Sequence, residues 1–365
     1  MKVAVKVKYL LKAVNICSRL VSNRSSLEVL GNILIETDKN TLKLSSTNLD
    51  LAITTKLGAK VEKAGKIAIP ARLLGELINS ISEDTLQLIA DDTNMTIKGN
   101  NILSRLNGVL ASEFPTLPKL SNTKSIKFRS QDLKSNFEKV LASVSIDESR
   151  PVLAGIYFST TSGQLVLAGT DSYRLSEVQS KNQGAGSIDC IIPVKTVMET
   201  LRLIASEDVE EIEIIIGESE ISFIVGDSQL ISQLTEGKYP DYKKIIPEST
   251  ATTIECDRDK LIEAVKVSSV FARENSHGIA LKVTKDNLTI DAQTSDIGEN
   301  TTTVAIKKTG KDAAININAR YITDILSVIG GQTVVIGIND KLDPLSIRPK
   351  TKSDTEVHII MPLRS

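Results

Sequence analysis

The sequence predicts an α+β fold of three repeated domains, each made of two strand–helix–three-strand units. The first observation is a short apolar strand, a basic residue and an amphipathic helix that recur at Ile67–Ile81, Cys190–Ile204 and Ile315–Ile329. The second is the spacing of 123 and then 125 residues between equivalent basic positions, which is too long for a solenoid unit. The third is the length of 365 residues, which suits two or three domains. We place the domains at 1–121, 122–250 and 251–365.

The first domain shows the unit twice. Val3–Val7 alternates as a strand, and Tyr9–Leu20 has the apolar spacing of a helix. The second helix follows the strand that ends at Pro70, with Leu74 and Ile78 on its apolar face. The other predicted strands are Ile33–Thr37, Leu42–Thr47, Leu51–Leu57, Leu86–Ala90, Met95–Lys98 and Ile102–Val109.

The second and third domains repeat this order. Their first helices are predicted at Leu133–Val144 and Lys260–Phe271. Two further sets of positions keep the register, one in a turn and one where each copy closes. The turn residues are Thr47, Thr170 and Thr294, and the closing pairs are Phe114-Pro115, Tyr239-Pro240 and Met361-Pro362.

A basic residue stands at the start of the second helix of every copy. These residues are Arg72, Lys195 and Arg320. A cation near a helix N-terminus is mildly unfavourable, so three in register indicate an external anion that helix amides and cations bind together. For any one of them alone, solvated surface remains the alternative.

Three like domains in a row leave an unpaired strand edge at each end, and closure removes such edges. Joining the first domain of one chain to the third domain of another gives a two-fold symmetric ring of six domains. The predicted joint pairs Ile102–Val109 with Glu299–Ile306, although both segments could be ordinary surface strands. Its side chains are Arg105, Leu106, Val270, Phe271, Asp296 and Glu299.

Composition argues against several classes of function. The net charge of −1 excludes a uniformly basic surface, and the absence of Trp argues against base stacking on aromatic platforms. The three widely spaced cysteines form neither a disulfide framework nor a CxxC site, and they suit a reducing cytoplasm. Lysines interrupt the opening segment before a signal-type apolar core forms.

No catalytic constellation is visible. The only histidines are His277 and His358, and neither shows a Ser or Cys partner in the sequence. Asp91-Asp92 is predicted to be a turn and not a metal site. We expect a non-catalytic protein with no cofactor and no metal.

Five motifs in order give the chain a resemblance to the bacterial sliding clamp, the beta subunit of DNA polymerase III. The resemblance covers essentially all 365 residues. The motifs are Leu30-Gly31-Asn32, Ile69-Pro70-Ala71-Arg72, the segment Gly169–Leu175, Tyr239-Pro240-Asp241-Tyr242 and Met361-Pro362-Leu363-Arg364.

The resemblance implies a head-to-tail homodimer ring that encloses duplex DNA, with the helices inside, and that tethers a polymerase in the cytoplasm. Basic residues of the helices would contact DNA phosphates without sequence specificity, although acidic residues share those helices. By position, the expected DNA contacts are Arg24, Arg72 and Lys195, joined by the helix cations Lys12, Lys134, Arg202 and Arg320.

The resemblance also implies a cleft between the second and third domains that binds short peptides of polymerases, the clamp loader and repair proteins. For the branched aliphatic residues among its positions, interdomain core is the alternative. The positions are Leu153, Thr170, Ser172, Tyr173, Arg174, Leu175, Pro240, Lys244, Ile245, Leu342, Pro344, Ile360, Met361, Pro362, Leu363 and Arg364. Two rival functions remain, which are a linear three-domain interaction scaffold and an enzyme with an unrecognised site.

Overall fold

The structure, a computed structural model, describes residues 1–21, 27–118, 120–121, 123–161, 163–181, 187–273, 276–294, 298–351 and 355–363. The chain divides into two compact units. The first comprises Met1–Ser130 and Lys195–Leu234, and the second comprises Gln131–Val194 and Thr235–Ser365. Each unit contains α-helices and antiparallel strands, which confirms the predicted α+β class.

The described residues contain six α-helices, two for each predicted repeat. Short 3-10 helices lie at Glu28–Gly31 and Tyr242–Ile245. The α-helices are α1 Val7–Ser18, α2 Ala71–Asn79, α3 Ser130–Leu141, α4 Val194–Ser206, α5 Arg258–Phe271 and α6 Ala319–Val328.

The strands follow the predicted order with two additions. In the first repeat they are β1 Lys2–Lys6, β2 Asn32–Asp38, β3 Thr41–Thr47, β4 Leu51–Gly58, β5 Lys60–Lys63, β6 Lys66–Pro70, β7 Thr85–Ala90, β8 Asn94–Lys98 and β9 Leu103–Asn107. In the second they are β10 Lys124–Arg129, β11 Gly155–Thr161, β12 Gln164–Thr170, β13 Arg174–Lys181, β14 Ile188–Pro193, β15 Glu211–Ile216, β16 Glu220–Val225 and β17 Ser228–Gln233. In the third they are β18 Thr252–Asp257, β19 Gly278–Thr284, β20 Asn287–Thr294, β21 Gly298–Ala305, β22 Lys307–Gly310, β23 Ala313–Asn318, β24 Thr333–Ile338, β25 Leu345–Pro349 and β26 Glu356–Ile360.

The two halves of each repeat exchange their leading strands. The strand that opens a first half pairs with the first strand after the second helix, as β1 with β7, β10 with β15 and β18 with β24. The strand that opens a second half pairs back in the same way, as β6 with β2, β14 with β11 and β23 with β19. All three repeats therefore share one topology.

Neighbouring repeats share sheets. In the eight-stranded sheet of the first unit, β17 pairs antiparallel with β4, and Leu230 lies opposite Ile53. In the nine-stranded sheet of the second unit, β26 pairs with β13 in the same manner, and Ile359 lies opposite Leu175. Two shorter sheets end at strands equivalent to these, namely β9 in the five-stranded sheet and β21 in the four-stranded sheet.

The helices bury the apolar face that their spacing predicts. Leu74 and Ile78 of α2 are fully buried, as are Leu261 of α5 and Ile322 of α6. Burial of one such side chain contributes roughly 1.5–3 kcal/mol. In the third repeat, α5 packs against α6 and against β20 and β21, so helices cover one face of these strands.

Several boundaries differ from the predictions. Helix α1 begins at Val7, two residues before the predicted Tyr9, and the Val7 N–H donates to the Asp84 carbonyl at 2.9 Å. The edge strands β5 and β22 were not predicted. Both consist mostly of exposed residues, so neither shows the alternation that identifies a strand.

Candidate functional site

The three repeated cations occupy one structural position. Arg72, Lys195 and Arg320 are each the second residue of their helix, in α2, α4 and α6, and all three are exposed. The predicted register is therefore confirmed. No residue caps the start of α2 with its side chain within the described residues, whereas Asn318 Oδ1 accepts from the Arg320 N–H at 2.9 Å.

Most of the candidate DNA-contacting cations lie beside acidic residues. Each carboxylate reduces the positive potential that reaches a phosphate, and Glu199 and Glu207 are themselves largely buried. The pairs are Arg72 with Glu76 at 2.9 Å, Lys134 with Glu138 at 4.0 Å, Lys12 with Glu207 at 2.8 Å, and Arg202 with Glu199. Arg24 lies outside the described residues.

The candidate peptide cleft begins at a turn that the chain uses twice. The Thr170 hydroxyl bridges the turn before β13, and the Thr47 hydroxyl bridges the turn before β4 in the same way. Ser172 and Leu49, two residues further along, have left-handed φ angles of 80° and 79°. A left-handed non-glycine residue costs of order 1–3 kcal/mol, so the surrounding contacts hold both turns in a strained form.

The closing segment after β26 lies across this turn. The Met361 N–H donates to the Tyr173 carbonyl at 2.8 Å, and the Leu363 N–H donates to the Asn316 carbonyl at 2.8 Å. Backbone bonds of this kind fix the direction of the segment without using its side chains. The cleft residues from the second and third predicted repeats are therefore close together within the second unit.

The cleft exposes large apolar side chains. Tyr173 and Leu342 are each 61% exposed, and Ile245 is 40% exposed. Such side chains are available to a bound peptide, whereas the buried positions form its floor. Of the other predicted positions, Leu153, Thr170, Leu175 and Ile360 are buried, Arg174, Pro344, Met361, Pro362 and Leu363 are half-buried, Ser172, Pro240 and Lys244 are exposed, and Arg364 lies outside the described residues.

The cations of the cleft already have acidic partners. The Arg174 guanidinium donates to Asp171 at 2.9 Å and to Asp324 at 2.6 Å, and it lies 4.6 Å from the ring centroid of Tyr321. Lys244 pairs with Asp241 at 2.9 Å. A peptide carboxylate would therefore compete with these carboxylates.

The sequence did not identify three residues that position other residues of the cleft. Arg150 donates to the Ser172 hydroxyl, and Tyr321 and Asp324 position Arg174. These partners are up to 150 residues apart along the chain, so no local motif could have identified them.

An aromatic cluster anchors the segment that carries Pro240, Lys244 and Ile245. Tyr239 and Tyr242 are buried, and the ring of Tyr239 stacks on that of Tyr157 with centroids 5.4 Å apart. The Tyr242 hydroxyl donates to Glu177 at 2.6 Å. Burial and this carboxylate raise the pKa of Tyr242, which keeps the phenol protonated.

His358 corrects the prediction that neither histidine has a serine partner. Its Nδ1 lies 2.7 Å from the Ser176 hydroxyl, and its Nε2 lies 3.0 Å from Glu356, in the order of a Ser–His–Glu relay. Ser176 and His358 are fully buried, and Ser143 lies 2.6 Å behind Ser176. No substrate reaches a nucleophile in this position, so the relay is an internal link between the turn after α3, β13 and β26.

Three of the six predicted joint residues lie on the edge strands, and Val270 and Phe271 lie at the end of α5. Arg105 and Glu299 are exposed on β9 and β21, and Val270 on α5 is 46% exposed. Leu106 is only 6% exposed, so most of its surface is already used within the chain, whereas Leu103 on the same strand is 75% exposed. Phe271 is half-buried, and Asp296 lies outside the described residues.

Asp91 lies in the turn between β7 and β8, as predicted, where its Oδ1 accepts from the Thr93 and Asn94 N–H groups. Among the described residues, no cluster of three potential metal ligands occurs. No helix of the described residues has the length and apolar character needed to span a membrane.

The similarity to known proteins extends over almost the whole chain. Three family models match in succession: DNA polymerase III beta subunit, N-terminal domain, at residues 1–118, central domain at 127–241 and C-terminal domain at 243–364. The beta sliding clamp of Chlamydia muridarum (strain MoPn / Nigg) is 30% identical over 348 residues, which cover 94% of each chain. That of Synechocystis sp. (strain ATCC 27184 / PCC 6803 / Kazusa) is 26% identical and covers 100% of this chain and 99% of that protein.

Solved structures show the same fold. The DNA polymerase sliding clamp of Pseudomonas aeruginosa superposes with a TM-score of 0.95 at 24% identity over 100% of both chains. The beta sliding clamp of C. crescentus gives a TM-score of 0.94 at 25% identity, again over 100% of both chains.

Proposed function

The chain belongs to the DNA polymerase III beta subunit family, the beta sliding clamps of bacteria, and we propose that two copies join head to tail into a ring around duplex DNA. The protein is a DNA sliding clamp, a non-catalytic processivity factor that tethers DNA polymerase III to its template. Within the ring, the domains would follow the predicted boundaries 1–121, 122–250 and 251–365.

The pattern of strand junctions is the observation that supports the ring. The last strand of the second repeat pairs with the first repeat, as β17 with β4, and the last strand of the third pairs with the second, as β26 with β13. The remaining strands of this series are β9 and β21, which are sheet edges within the chain. Pairing β9 of one copy with β21 of another continues the series and closes it after two chains.

DNA contact is assigned to cations of the helices together with Arg24. The proposed helix cations are Arg72, Lys195, Lys12, Lys134, Arg202 and Arg320. Contacts to phosphates carry no sequence information and weaken with salt, as sliding requires. The neighbouring carboxylates keep these contacts weak enough for movement.

Partner proteins would bind in the cleft of the second unit. The exposed Tyr173, Leu342 and Ile245 offer an apolar surface to leucine- or phenylalanine-bearing peptides. Polymerase subunits, the clamp loader and repair proteins would share this site and compete for it. We place the protein in the cytoplasm, where the reduced Cys17, Cys190 and Cys256 are stable.

DNA topology tests the ring directly. The clamp is loaded onto nicked circular DNA, half of the sample is linearised, and the retained protein is measured by gel filtration. A ring stays on the circle and slides off the free ends of the linear form. Equal loss from both forms would overturn the proposal in favour of the linear scaffold.

A further inference from the structure

A cavity of about 630 Å³ opens in the first unit, whereas the residues of the peptide cleft belong to the second unit. The start of α1, the end of β4 and the turn between β16 and β17 form its walls. Its size is in the range of pockets that bind small molecules. Four of its lining residues are lysines, at positions 6, 8, 12 and 56.

The lysines outnumber the acidic residues of the cavity, which are Glu207 and Asp227. Glu207 pairs with Lys12, whose Nζ lies 2.8 Å from its carboxylate, and Lys56 lies 3.9 Å from Asp38, which does not line the cavity. Lys6 and Lys8 are exposed, and within the described part of the chain neither has an ion-pair partner. The cavity therefore has an excess of positive charge.

This arrangement is unfavourable for the chain alone. Lys8 and Lys12 lie one turn apart on α1, where like charges repel. The first turn of α1 contains no acidic residue, and Lys6 at the cap position makes no capping hydrogen bond with its side chain. An anion in the cavity would reduce the repulsion between Lys8 and Lys12, and it would interact favourably with the positive end of the α1 dipole.

The cavity also presents one aromatic ring. Tyr9 lines it and is 52% exposed. A flat ligand ring can stack on such a side chain, and stacking of a base on an aromatic residue contributes about 1–3 kcal/mol. A phosphate near the lysines and a ring against Tyr9 are together the chemistry of a nucleotide.

We propose that the cavity at the start of α1 binds a nucleotide, with its phosphates on the lysines and its base on Tyr9. The ligand is either a free nucleotide or a nucleotide of a single strand. The site is independent of ring closure, because every residue that forms it belongs to one unit of one chain.

Calorimetric titration of the full chain at low salt tests the site. The probes are ATP, inorganic triphosphate and a thymidine decanucleotide. The cavity variant is Lys6→Ala/Lys56→Ala, and Lys66→Ala/Lys98→Ala removes two exposed strand lysines of the same unit that do not line the cavity. Lys12 is left intact because it also belongs to the proposed DNA-contacting set.

ATP should bind the wild type and the control alike, and the cavity variant about tenfold or more weakly. Tyr9→Ala should reduce the affinity for ATP towards that for triphosphate and leave triphosphate binding unchanged. If only the decanucleotide binds, and its binding depends on Lys6, Lys56 and Tyr9 in the same way, the ligand is a nucleotide within single-stranded DNA. Equal ATP affinity in the cavity variant and the control, or no binding of any probe, would overturn the proposal.

Discussion

At the scale of single residues, Glu356 holds a buried negative charge between two repeats. It is 5% exposed, accepts from Lys139 at 2.6 Å and lies 3.0 Å from the imidazole of His358. Burial alone would raise the pKa of Glu356, but the hydrogen bonds from His358 and Lys139 outweigh it, so the pKa lies below its ordinary 4.5. The carboxylate is therefore ionised in the folded protein.

Glu356→Gln should destabilise the second unit by about 3 kcal/mol, because it leaves Lys139 half-buried without its counter-charge. The lowered pKa means that the wild-type contribution is complete above pH 4.5 and is lost as the pH falls through the folded value. Urea unfolding from pH 7 to pH 3 should therefore show the difference between wild type and variant shrinking in acid. Glu211→Gln, which removes an exposed partner of Lys127, should have little effect at any pH. A pH-independent difference would contradict this account.

The ion pair of Arg72 with Glu76 predicts that one substitution can strengthen the contact with DNA. Glu76→Gln removes the carboxylate 2.9 Å from Arg72, so the cation becomes fully available to a phosphate. The salt dependence of DNA retention should steepen, by up to about one unit of the logarithmic slope for each added contact.

Replacement of Arg24, Arg72 and Lys195 by Ala should flatten the slope by up to roughly three units. If neither slope changes, these side chains do not contact DNA.

At the scale of elements, the sequence correctly predicted the features that depend on residues close together in the chain. The strand–helix–three-strand order and the register of Arg72, Lys195 and Arg320 were predicted because apolar periodicity and spacing depend only on nearby residues. The edge strand β5 was missed because its residues mostly face solvent and carry charge. The link from Ser176 to His358 was missed because it spans 182 residues and depends on how β13 and β26 pair.

The candidate cleft likewise combines positions that the sequence predicted with contacts that it did not predict. Its predicted positions rest on motifs, but the pairing of Arg174 with Asp324 and of Arg150 with Ser172 required the fold. The exposure of Leu342 was also not predictable, because a leucine in a turn gives no sign of its burial.

The closing segment gives the prediction that belongs to this scale. Deletion of Met361–Ser365 should abolish binding of a labelled peptide that carries leucine, phenylalanine and an acidic flank, because the segment forms one wall of the cleft. Fluorescence anisotropy measures the affinity, and sedimentation shows whether the dimer persists. Leu110→Ser, which changes an apolar side chain that is 41% exposed in the first repeat, serves as the control. Unchanged affinity after the deletion would place the peptide site elsewhere.

At the scale of the whole molecule, one kind of strand junction would serve two purposes. The antiparallel pairs β17–β4 and β26–β13 unite neighbouring repeats within a chain, and the proposed β9–β21 pair repeats them between chains. A chain without this partner exposes Leu103 at 75% and Val270 at 46%, together with two strand edges. Dimerisation would cover these surfaces and remove two routes to aggregation.

A charge exchange tests the joint. Arg105 and Glu299 are exposed on the two edge strands, and in the proposed pairing Arg105 can face Asp296 or Glu299 across both joints of the ring. Arg105→Glu or Glu299→Lys alone places like charges opposite each other, so each should raise the dimer dissociation constant by about tenfold or more. The double variant restores opposite charges and should recover most of the affinity. Sedimentation equilibrium over a dilution series measures all four proteins, and additive losses in the double variant would show that these side chains do not face each other.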